Sequence, residues 1–97
     1  MSKRIVVAGS PPSSVIELKA AIAAGKVVFP PRLETVARRV LSEPELMAFK
    51  SAPVIARDCG VSASTVLRFA QHIGFSDIAE ARGIFRDELR RVSSLRG

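Results

Sequence analysis

Six polar or positive side chains fall within a short span of this chain: Ser62, Ser64, Thr65, Arg68, Gln71 and His72. Between Cys59 and Ser76 there is no acidic residue, although the chain carries 9 elsewhere. A surface that meets phosphates needs that absence, because a carboxylate would repel them, and it needs donors and short hydroxyls in its place. An arginine such as Arg68 can donate two parallel hydrogen bonds to guanine, and a glutamine such as Gln71 can pair with adenine. Ser62, Ser64 and Thr65 carry hydroxyls that suit phosphate oxygens, and His72 can contact a phosphate or face water. The plainer reading of the same residues is a helix face turned to solvent.

Other chemistries find less support. Cys59 and His72 are the only cysteine and the only histidine, which is too few ligands for a zinc site. No nucleophile sits in a recognisable pairing with a base, so neither catalysis nor a cofactor is expected. Cys59 reads as core filler in preference to a redox switch. Phe69 and Phe75 read as core, and with no Trp or Tyr in the chain a base-stacking platform is not expected. Val7-Ala8-Gly9-Ser10 lacks the glycine spacing and the lysine of a phosphate loop.

The polar residues need a helix to present them, and the sequence supplies one with a turn before it. Ser51 to Asp58 and Ser62 to Ile73 read as two short helices, with Gly60 placed where a backbone must leave a helix at positive φ. Val61 fills the corner, and Ser62 is placed to cap the second helix. On that helix Val66, Phe69, Ala70 and Ile73 gather on the inward side, while Ser64, Thr65, Arg68, Gln71 and His72 are expected outward. Two helices joined by a short glycine-containing turn make a helix-turn-helix. An ordinary helical corner shares that pattern.

The flanking sequence reads as helix throughout. A first helix is expected from Ser13 or Ser14 to Ala24, stopped by Gly25. Pro30 and Pro31 open a second, Arg32 to Ser42, whose Leu33, Val36, Ala37, Val40 and Leu41 repeat at helical spacing. Pro44 begins a short helix to Phe49 with Leu46 and Phe49 inward. Gly74 closes the second helix of that pair, and Ser76 is expected to cap a last helix striped by Ile78, Ala81, Phe85, Leu89 and Val92. Arg86, Arg90, Arg91 and Arg96 fall late in that helix, where positive charge suits the dipole. The fold class is all-α: a small bundle of about six helices containing a helix-turn-helix. Residues 1–13 are read as a tail and 14–97 as the domain; Ile5-Val6-Val7 could form a strand but has no partner strand.

The run Gly60-Val61-Ser62, Ser64-Thr65-Val66, Arg68-Phe69 and Gly74-Phe75-Ser76 resembles the amino-terminal domain of the RpiR family of bacterial transcription regulators. Val36-Ala37, Val40-Leu41, Glu43-Pro44-Glu45, Ala48-Phe49, Ser51 and Ile55-Ala56 extend the likeness, which runs from Val15 to Leu89. The resemblance implies sequence-specific binding to double-stranded DNA, with residues 62–73 in the major groove, by a homodimer on a pseudo-palindromic site. It also implies a downstream sugar-isomerase domain that senses a phosphorylated sugar or related metabolite. The 97 residues have no room for such a sensor, so an effector is expected only if that domain exists outside this chain. The pattern departs from the family at Gln71 and His72, where basic residues are frequent, at Asp77, where glycine is, and at Val54, where an acid would complete a capping box with Ser51.

Composition agrees. The chain has 15 Lys and Arg and a net charge of +6, a balance that favours an anionic partner. Arg38 and Arg39 either touch phosphate or solvate a helix face. The apolar run near the start ends too soon for a signal peptide, and no stretch reaches the ~18 apolar residues of a membrane helix, so no membrane association and a cytoplasmic location are expected. The rival reading is a helical interaction or dimerisation module that does not bind DNA.

Overall fold

Capping decides where most helices of this chain begin. In the computed structural model, which describes residues 11–96, the helices are α1 (Val15–Ala23), α2 (Pro31–Ser42), α3 (Pro44–Phe49), α4 (Ala52–Cys59), α5 (Ala63–His72) and α6 (Ile78–Arg96). Ser14 caps α1 by accepting from the Glu17 amide at 3.0 Å, and the Glu17 carboxylate reaches back to the Ser13 amide. Pro31 and Pro44 open α2 and α3, where a missing N–H costs nothing. Ser51 and Ser62 cap α4 and α5 through the amides of Val54 and Thr65.

The last helix differs from expectation at its start. The cap is Asp77, whose Oδ1 accepts from the Glu80 amide at 2.9 Å. Ser76 instead donates its backbone N–H to Glu80 Oε1 at 2.7 Å. The two acids thus hold the chain entering α6 reciprocally, an arrangement that a carboxylate at 77 makes possible and a glycine would not.

All six helices feed one core, whose fully buried side chains include Leu18, Val36, Met47, Ile55, Phe69 and Phe85. The expected stripe of α2 faces the core: Leu33, Val36, Ala37 and Val40 are buried, and Leu41 packs partly buried against them. In α3 the inward residues are Leu46, Met47 and Ala48, and Phe49 points out, 64% exposed. A six-residue helix wedged between α2 and α6 is covered on two sides, so consecutive residues are buried and the last one escapes. The Phe49 ring meets the Arg86 guanidinium, 5.7 Å from its centroid.

Two arginines of α6 satisfy the carboxyl end of α3. Arg82 Nη1 donates to the carbonyls of Met47 at 3.0 Å and Lys50 at 2.6 Å, and Arg86 Nε donates to Ala48 at 2.9 Å. Those carbonyls are left over by helix termination and would otherwise need water. Further along, Arg91 donates both Nε and Nη2 to Glu88, a residue 8% exposed, and this bond holds the Glu88 carboxyl below its ordinary range.

Before α1, Pro12 is buried, and a Cβ built on Gly74 would lie 2.9 Å from the Pro11 Cα. Packing therefore extends into the end of the segment read as a tail; the rest of it, including Ile5-Val6-Val7, lies outside the described residues. Among the described residues the secondary structure is helical, with no strand, and no helix is long and apolar enough to cross a membrane.

Candidate nucleic-acid interface

The junction between α4 and α5 is a Schellman turn. Val61 N–H donates to Ala56 O at 2.9 Å and Gly60 N–H to Arg57 O at 3.3 Å, while Gly60 sits at φ 72°. A residue with a Cβ is strained in that left-handed conformation, so glycine sets the angle at which the chain leaves α4. The same pair of bonds ends α5: Phe75 N–H to Ala70 O and Gly74 N–H to Gln71 O, both 3.0 Å, with Gly74 at φ 108°.

Within α5 the inward residues are as expected, with Val66, Phe69, Ala70 and the following Ile73 all buried. Two of the residues expected outward are not. Thr65 is only 3% exposed, and its hydroxyl hydrogen-bonds the Ser62 hydroxyl at 3.0 Å. It stands four residues before Phe69 and shares that side of the helix; its polarity, not its position, suggested the outward face. His72 is half-buried, its Nε2–H donates to Val28 O at 2.7 Å, and its ring lies 5.1 Å from that of Phe29. His72 follows Thr65 by seven residues, two turns along the same edge, and meets the loop between α1 and α2 there.

The outward stripe that remains is Ala63, Ser64, Leu67, Arg68 and Gln71, all exposed. Gln71 is held lightly, Nε2 donating to Ser76 O at 3.4 Å. Ser62 is exposed, yet its oxygen is engaged by the Thr65 amide at 3.2 Å. Ala63 and Leu67 are absent from the sequence-based site because only polar residues were considered, although their spacing from Arg68 and Gln71 put them on the same face.

The charges around this stripe sort into engaged and free. Arg38 pairs with Glu34 at 3.0 Å and Arg39 with Glu43 at 3.5 Å, each one turn along α2. Among the described residues no carboxylate pairs with Arg57 or Arg68, which are both exposed. Arg57 lies in the last turn of α4, before the Gly60 turn, and was not singled out in the sequence. Cys59 is partly buried beside this turn, and burial pushes its thiol up, with the Arg39 charge opposing. A thiol held protonated in this way is a poor nucleophile. No group of three potential metal ligands occurs among the described residues.

The His72 contact has a measurable consequence. Replacing it with alanine removes the donor to Val28 O and the ring packed on Phe29, and is expected to cost about 1–2 kcal/mol of stability. Amide hydrogen exchange is expected to accelerate in residues 25–30 in particular. A His72→Ala protein with wild-type stability and unchanged exchange there would show that the contact holds nothing in place.

The arrangement can present one arginine, one amide, one hydroxyl and a narrow apolar edge to a partner across a single helix face. Comparison of the chain with protein-family models, with curated proteins and with solved structures finds no match.

Proposed function

We propose that this chain is a double-stranded-DNA-binding domain of a transcription regulator of RpiR type, with α5 lying in the major groove and Arg68 as its principal base reader. The observation that carries the reading is the position of Arg68: mid-helix, exposed, without a carboxylate partner among the described residues, on a helix anchored by Val66, Phe69 and Ala70 and set by the Gly60 turn. Ser64 and Gln71 flank it one turn to either side. Ser62 and Thr65 serve as the cap and buttress of the helix, and His72 as its tether to the α1–α2 loop.

The mechanism is occupancy of a site, with no bond made or broken. The domain acts as a homodimer in the cytoplasm on two half-sites about one helical turn apart or a multiple of it. Helices α1 and α6 supply the dimer surface: Leu89 and Val92 are half-buried, and Ile16 and Leu95 are exposed apolar residues on those helices. A phosphorylated-sugar effector belongs to this reading only through a further domain outside the chain.

Arg68→Ala tests it. On a duplex selected by the wild-type protein from a randomised library, the substitution is expected to weaken binding by about 1–3 kcal/mol. On a scrambled duplex the loss is expected to be much smaller, so that discrimination falls. The circular dichroism is expected to stay unchanged, since the side chain is exposed. An intact fold with unchanged discrimination removes Arg68 as the reader. Failure of the wild type to bind any duplex at low salt would turn the reading to a helical interaction module.

A further inference from the structure

Leu67 is 37% exposed and stands outside the apolar cluster of the core. It does so on α5, the helix whose other large apolar residues, Val66 and Phe69, are wholly buried. Ala63 lies one turn before it and is also exposed, so an apolar edge runs along the outward face beside the polar edge of Ser64 and Arg68. An alanine at 63 leaves the space beside Leu67 open.

The partner features available to such an edge are few. Phosphates and sugars are polar, and so are the guanine and adenine edges in the major groove. The one apolar group displayed there is the C5-methyl of thymine. We infer that Leu67, with Ala63 beside it, contacts a thymine methyl, and so requires an A·T pair within two base pairs of the pair read by Arg68. The inference rests on the DNA-binding reading given above. Leu67 and Arg68 are about 1.5 Å apart along the helix axis but diverge by about 100° around it, so the two contacts fall on different base pairs within about two steps of each other, at ~3.4 Å per step.

The test uses the full chain and the duplex it selects from a randomised library. Each thymine in a half-site is replaced in turn by deoxyuridine, which lacks only the methyl. At one position, within two base pairs of the guanine whose recognition depends on Arg68, binding is expected to weaken about 4-fold, the worth of one buried methyl. In a Leu67→Ala protein, checked for unchanged circular dichroism, the thymine and deoxyuridine duplexes are expected to bind alike. Tolerance of deoxyuridine at every position, with binding to the parent duplex intact, overturns the inference and leaves DNA recognition standing. So does a Leu67→Ala protein that keeps the full methyl sensitivity. Absence of duplex binding by the wild type at low salt overturns both.

Discussion

Raising monovalent salt from about 50 to 200 mM is expected to weaken duplex binding roughly 10²–10³-fold. The cause is counterion release: if a monomer neutralises ~4–6 phosphates, log K falls against log salt with a slope of about −4 to −5. The charge behind it is a net +6, and its distribution matters more than its sum. Arg38, Arg39, Arg90 and Arg91 are paired with Glu34, Glu43, Asp87 and Glu88. Arg57 at the turn and Arg68 on α5 have no such partner among the described residues, and neither do the exposed Lys26, Arg32 and Lys50. Titration of a labelled duplex at several salt concentrations measures the slope directly. A slope near zero would mean that phosphates are not what the chain holds.

Phe69→Ala is expected to remove about 3–5 kcal/mol of stability, the range for truncating a buried aromatic. Phe69 has no exposed surface, and its ring lies 5.7 Å from that of Phe29 on the α1–α2 loop. A domain of this size has of the order of 5–15 kcal/mol in total, so about a fifth of it or more is at stake. Urea denaturation is expected to show a lower midpoint with little change in slope. The contrast with Arg68→Ala is the informative part: the two positions are adjacent, yet the first substitution is expected to act on the fold and the second on recognition. A Phe69→Ala protein that unfolds within experimental error of the wild type would show that α5 is docked by other contacts.

Much of the fold was legible because α2 and α5 repeat their apolar residues at helical spacing and because Pro31, Pro44, Gly60 and Gly74 mark ends that backbone geometry demands. The errors share a cause. Thr65 and His72 were sorted by polarity, but a helix buries by position, and neighbours decide what lies against each edge. Whether Thr65 could be buried depended on a partner for its hydroxyl, and Ser62 provides one from the preceding turn. The partner of His72 is the Val28 carbonyl, 44 residues away, which local spacing does not reveal. Phe49 was expected inward as an aromatic on a short helix, and its exposure follows from how α6 covers α3. At α6 the capping signal was present in Asp77 and Glu80, but Ser76 offered a competing cap one residue earlier.

The bonds from Arg82 and Arg86 to the carboxyl end of α3 also make a mechanical linkage. The Lys50 carbonyl that Arg82 grips belongs to the peptide group joining Lys50 to Ser51, and Ser51 is the cap from which α4 starts. The start of α4 is thus tied to α6 by a polar bond as well as through the core side chains Ala81, Ile84 and Phe85. Cutting Arg82 back would free the Lys50 carbonyl and with it the peptide group on which the α4 cap is set, while the Arg86 bond to Ala48 would stay in place.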